Sequence, residues 1–150
     1  MAPLTKAQVD NLLDELRPHV NTDQGKVSLG IQAYRKFFTA YPQHINLFSR
    51  LQGLDVTNVF QSEGIKHYAR ALIDGIVKIV NSAAEDAQFK NAVEANAVLH
   101  ATRNVTKNQF MSAEPFFIEG FKSVLTKQEN KDAMEKLMKI VFSTSPNYLP

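Results

Sequence analysis

Histidine and tyrosine are the side chains best placed to do chemistry in this chain, because it contains no cysteine. Without a thiol there is no disulfide and no metal or prosthetic group held by thiolate. A glycine-rich phosphate loop, a His-Glu-x-x-His pair, an EF-hand loop and a Gly-x-Ser-x-Gly elbow are all missing. Attention falls on four histidines. His19 and His44 follow prolines in turns and are expected in solvent. His67 stands at the edge of an apolar stripe, beside Tyr68. His100 differs, since it follows Phe89, Val93 and Ala97 on one apolar helix face. An inward histidine is either a hydrogen-bonded core residue or a metal ligand through a neutral ring nitrogen. Spacing alone leaves both open. Tyr34 and Tyr68 occupy the centres of two further inward stripes. A buried phenol needs a hydrogen-bond partner, and two of them in one small core are consistent with a lined pocket.

The elements that must carry these residues are helices. Thr5-Lys-Ala-Gln8 has the form of a capping box, with Val9, Leu12, Leu13 and Leu16 behind it, and Pro18 is expected to stop that helix. A second helix starts at Asn21-Thr22-Asp23 and carries Val27, Ile31, Tyr34 and Phe37 to Pro42. Residues 43–49 suit a short helix, and the longest helix is expected from about Val56 to Val80, with Ile65, Tyr68, Leu72 and Ile76 inward. Ser82-Ala-Ala-Glu85 and Thr106-Lys-Asn-Gln109 match the capping box again. Pro115 should kink the helix after Thr106 or delay its start, and Asn130 is the expected cap of a last helix ended by Pro146. Two-residue alternation is sustained nowhere, so six or seven helices in one all-α domain over 1–150 are expected.

Composition agrees. The chain has 150 residues, 44% hydrophobic and 21% charged, enough apolar surface for a real core. Seventeen basic and fifteen acidic residues leave a net +2, with no long run of like charge, so no nucleic-acid partner is expected. The opening residues lack the apolar stretch of a secretory signal, and no apolar run is long enough for a membrane. A soluble cytoplasmic protein is the expectation, and a monomer, because no spare apolar stripe suggests a partner surface.

Tyr34, Pro42 eight residues later and Phe48 six beyond that together resemble the globin pattern. The long helix with Tyr68 and Leu72, and His100 well beyond it, extend the likeness over essentially the whole chain. The stretches Phe48-Ser-Arg-Leu-Gln-Gly53, Gln61–Arg70 and Val105–Phe110 are similar to the haemoglobins of trematode flatworms, which carry tyrosine at both oxygen-facing positions. The resemblance implies an all-α globin fold of six to eight helices around haem b. It implies His100 as the iron ligand, Phe48 against the porphyrin, Leu72 over the iron, and Tyr34 and Tyr68 as donors to bound oxygen. Arg50, with Arg103 a looser match, is implied at the haem propionates, Val105 and Phe110 at the haem, and Gly30 and Ala69 where two helices cross. Tyr68 is preferred to His67 as the oxygen-facing residue, because its neighbours one turn away are Ile65 and Leu72 rather than Gly64 and Ala71. The implied activity is binding, not enzymatic: tight capture and slow release of molecular oxygen and other small diatomic ligands, for storage, scavenging or transport. A peroxidase-like or nitric-oxide-consuming haem enzyme, and a helical carrier of an apolar ligand without haem, are alternatives; a sensor would need an output domain, which this chain does not carry.

Overall fold

A computed structural model describes residues 1–149. Helix α1 (Lys6–Val20) begins as its residues dictate: Thr5 Oγ1 accepts from the Gln8 amide at 3.1 Å, and Gln8 Oε1 accepts from the Thr5 amide at 2.9 Å. Pro18 does not stop it. Placed in the last turn, the proline removes a single amide donor, and the helix continues to Val20. Helix α2 (Asp23–Ala40) is capped by Thr22, which accepts from the Gly25 amide at 3.0 Å, and ends before Pro42. The 43–49 segment is two tight 3-10 turns, Pro42–Leu47 and Ser49–Leu51.

Helix α3 (Glu63–Ser82) starts later than the apolar stripe suggested. Asp55 and Asn58 hold the chain in a turn of their own: the Asp55 carboxylate accepts from the Thr57 amide at 2.9 Å, and Asn58 Oδ1 from the Asp55 amide at 2.8 Å. A 3-10 turn over Val59–Gln61 follows, and Ser62 then caps α3 by accepting from the Ile65 amide at 3.2 Å. At the other end Ser82 is no cap. It is the last residue of α3, buried, with its hydroxyl donating to the Ile79 carbonyl at 2.7 Å. Helix α4 (Asp86–Thr102) therefore starts after Glu85 with no side-chain cap.

Thr106 and Gln109 form the capping box of α5 (Lys107–Ser112). The chain breaks at Ala113, and α6 (Glu114–Lys122) restarts with Pro115 in its first turn, where no amide donor is needed. Helix α7 (Gln128–Thr144) ends just before Pro146, but Asn130 does not cap it. Asn130 is buried in the first turn, and its Nδ2 donates to Glu15 Oε1 at 2.8 Å and to the Asn11 carbonyl at 3.3 Å. Helix α7 has no side-chain cap; Glu15 instead ties down the chain just before it, accepting from the Thr126 amide at 2.5 Å and from its hydroxyl at 2.6 Å. The first helix thus holds the start of the last.

All regular structure among the described residues is helical. The layers close through small residues. A Cβ placed on Gly30 of α2 would lie 2.6 Å from Ala69 Cα on α3, and one on Gly120 of α6 would lie 2.9 Å from Ala33 Cα on α2. The α2 residues at these two backbone approaches, Gly30 and Ala33, are three apart on one face, so α3 and α6 meet α2 side by side, and Tyr34 leaves α2 one turn after Gly30. No described helix is long and apolar enough to cross a membrane.

Candidate functional site

Behind these crossings lies a cavity of about 430 Å³, within the range of small-molecule sites. Tyr34 enters it from α2, Phe48 and Arg50 from the 3-10 turns, and Tyr68 and Leu72 from α3. His100 comes from α4, Arg103 and Val105 from the turn after it, and Phe110 from α5. Every residue selected from the sequence as a site candidate lines this one space.

His100 occupies the last turn of α4, half-buried, with the Phe110 ring edge-on at 5.2 Å. Its Nδ1 lies 2.8 Å from the Asn96 carbonyl one turn back. A carbonyl only accepts, so Nδ1 carries the proton and Nε2 keeps its lone pair. Burial pushes the imidazole pKa down; the Asn96 bond opposes this, and the nearby Arg103 charge adds to it. The ring is a neutral base with one fixed tautomer. The turn beyond is tied back to the same residue, because the Arg103 and Val105 amides donate to the His100 carbonyl at 3.1 and 3.2 Å. Asn104 takes the left-handed conformation (φ 61°) that this reversal needs.

The two phenols differ. Tyr34 is buried among Phe38, Phe48 and Phe117, with ring centroids 5.4–5.6 Å away. Its hydroxyl has no hydrogen-bond partner among the described residues. Burial holds its pKa far above the ordinary tyrosine value, with the Arg103 charge opposing weakly, so the group is a donor at every ordinary pH. Tyr68 packs its ring edge-on to Phe48 at 4.9 Å, and its oxygen accepts from the Arg50 amide at 3.2 Å with Ser49 Oγ at 3.3 Å.

His67 also reaches the cavity wall, half-buried, while Tyr68 is fully buried on the apolar stripe. Burial lowers the His67 pKa, as do the charges of Arg50, Arg103 and Arg70. His44, expected in solvent, is half-buried: it stacks on Tyr41 at 5.1 Å and meets Phe37 edge-on, and burial lowers its pKa. No group of three or more His, Asp or Glu able to hold a metal ion exists among the described residues.

The sequence reading missed the floor of the cavity. Met138 and Phe142 of α7 line it beside Val141, and Asn96 lines it below His100. Asn96 was findable, since it sits one helical turn before the inward histidine. Ser49 gave no signal, because only its contact with Tyr68 across the fold makes it part of the site.

An all-helical chain closed around an apolar cavity, with one oriented histidine and two phenols in its wall, is a binding protein for a small group by its architecture. The family model for globins matches residues 31–145, and the chain belongs to the globin family. It is 38% identical to a globin of the flatworm Isoparorchis hypselobagri, over 93% of this chain and 95% of that one. It is 42% identical to a globin of Dicrocoelium dendriticum, over 83% and 85% of the two chains. Among solved structures, a double mutant of Aplysia limacina myoglobin shares the fold with a TM-score of 0.77 at 18% identity, covering 96% of this chain and 97% of that one. The globin-like protein GLB-1 of C. elegans does so with 0.77 at 20%, covering 98% of both.

Proposed function

We propose that this chain holds haem b in the cavity, with His100 as the iron ligand, and that it binds molecular oxygen reversibly rather than acting as an enzyme. The observation that carries the reading is the state of His100: neutral, pinned through Nδ1 to Asn96, with the Nε2 lone pair left over in the wall of an apolar cavity. The rest of the wall suits the same group. Phe48, Phe110 and Leu72 offer apolar contact, and Arg50 and Arg103, both exposed at the rim, offer charge to its two carboxylates. Val105 closes the side below Arg103. Haem supplies an iron centre at which oxygen binds and leaves unchanged.

Discrimination among diatomic ligands falls to the phenols. Tyr34 and Tyr68 are hydrogen-bond donors on one side of the cavity, and a ligand atom that gathers negative charge gains about 1.5–3 kcal/mol from each such bond. Oxygen gathers more charge than carbon monoxide, so it is favoured, and the gain falls mainly on its release rate. Myoglobin from Aplysia limacina, which shares the fold, binds azide, a small anion, in its ferric form. Tight binding with slow release suits storage or scavenging, by a monomer in the cytoplasm.

Haemin offered to the purified chain tests the cofactor: a Soret band is expected, and its absence would remove the haem reading. His100→Gly should lose the group, or keep it only with added imidazole. An unchanged spectrum and unchanged retention in that variant would overturn the assignment of His100.

A further inference from the structure

The turn Ser49–Leu51 touches Tyr68 at its polar tip. The Arg50 amide donates to the phenol oxygen at 3.2 Å, and Ser49 Oγ stands 3.3 Å from the same oxygen. Gly64, one helical turn before Tyr68, makes this approach possible. A Cβ there would lie 2.5 Å from the Arg50 carbonyl oxygen and 2.9 Å from Leu51 Cδ2, so the turn rests on bare backbone at the start of α3. A phenol has one proton to give, and an amide N–H cannot receive it. Among the described residues, the only other polar group within hydrogen-bond distance of the phenol is the Ser49 hydroxyl. Ser49 is exposed, so water can serve it in any orientation, whereas Tyr68 is only 6% exposed. That asymmetry gives the bond its direction: Tyr68 donates and Ser49 accepts.

We infer that Ser49 is a positioning residue that competes with the cavity ligand for the Tyr68 proton and thereby lowers oxygen affinity. The inference rests on the oxygen-binding reading above. In the ligand-free protein the proton is satisfied on Ser49, and a ligand must draw it away. With the serine hydroxyl gone, the buried proton has no acceptor until a ligand arrives, which raises the ligand-free state against the bound one. Removing a polar group at the rim should therefore tighten binding.

The test uses haem-loaded wild type, Ser49→Ala, Ser49→Thr, Tyr68→Phe and the Ser49→Ala/Tyr68→Phe pair. Association and release of oxygen and carbon monoxide are followed by flash photolysis and stopped flow, their ratio giving the affinity, and amide exchange at Arg50 by NMR in the ligand-free protein. Ser49→Ala should raise oxygen affinity about two- to tenfold, the worth of one neutral hydrogen bond, with carbon monoxide much less changed. Ser49→Thr should restore the wild-type affinity, and Ser49→Ala should have no effect once Tyr68 is Phe. Exchange at Arg50 should quicken in Tyr68→Phe, which removes its acceptor, and stay slow in Ser49→Ala. Weaker oxygen binding in Ser49→Ala, an effect that persists without the phenol, or quickened exchange at Arg50 in Ser49→Ala would each overturn the inference. No change in Ser49→Ala while Tyr68→Phe speeds release would overturn it and leave Tyr68 as a donor. No change in either variant would remove the donor role of Tyr68 as well.

Discussion

Replacing Tyr34 by phenylalanine should speed ligand release without costing the ligand-free protein stability. The ring stays, so the packing on Phe38, Phe48 and Phe117 at 5.4–5.6 Å is kept, and only the hydroxyl is lost. In the ligand-free protein that hydroxyl faces the cavity without a protein partner, so removing it breaks no protein hydrogen bond and should cost no stability. In the ligand-bound protein the same change deletes a donor to a charge-bearing atom, a loss of about 1.5–3 kcal/mol. At 1.4 kcal/mol per tenfold, that is about ten- to a hundredfold faster oxygen release if the loss falls wholly on dissociation. Stopped-flow displacement of oxygen by carbon monoxide reads the rate, and urea unfolding of the ligand-free protein reads the stability. Release within about twofold of wild type would show that Tyr34 gives nothing to the ligand. A loss of stability would show that its hydroxyl has a partner in the folded protein.

Two further predictions concern the frame around the site. Burial alone would raise the Glu15 carboxyl, but its bonds from Thr126, Asn130 and Lys127 outweigh this and hold the pKa at about 2, below the ordinary 4.5. A depressed carboxylate contributes stability that is complete above the ordinary value and is lost as pH falls from there toward 2. Glu15→Ala should therefore cost about 1–3 kcal/mol at neutral pH and flatten the loss of stability between pH 4.5 and 2. Urea unfolding at pH 7 and pH 3 measures both, and parallel curves for the two proteins would count against this role. Gly30→Ala places a methyl 2.6 Å from both Cα and Cβ of Ala69, where backbone cannot give way. A loss of about 1–3 kcal/mol in thermal unfolding is expected, and an unchanged transition would mean the crossing is looser than its geometry.

How far the sequence could be read depends on how local each signal is. Thr5 and Thr106 act as caps because their partners lie three residues away, within one turn of chain, and nothing remote disturbs them. Ser82 and Asn130 have the residue types of caps, but each has a stronger claim elsewhere: Ser82 on the preceding turn of its own helix, Asn130 on Glu15 across the molecule. The late start of α3 was hidden because Val56, Val59 and Phe60 continue an apolar pattern through a turn fixed by Asp55 and Asn58. Inward residues of the site were legible from periodicity, and the family likeness drew them to one place. The bonds at Tyr68, and the wall supplied by Met138 and Phe142, depend on segments far apart in sequence, and no local pattern records them.

The Glu15–Asn130 bond joins residues 115 positions apart. Helix α1 lies outside the stretch that matches the globin model, yet it anchors the helix whose Met138, Val141 and Phe142 floor the cavity. During synthesis, then, the chain passes through a stage in which α2 to α6 exist and the cavity is an open apolar trough. A bulky apolar guest is enclosed only when α7 has left the ribosome and found Glu15. Chaperone occupancy should accordingly persist while the codons for α7 are read and fall only after α7 has emerged, not when the crossing of α2 and α3 forms.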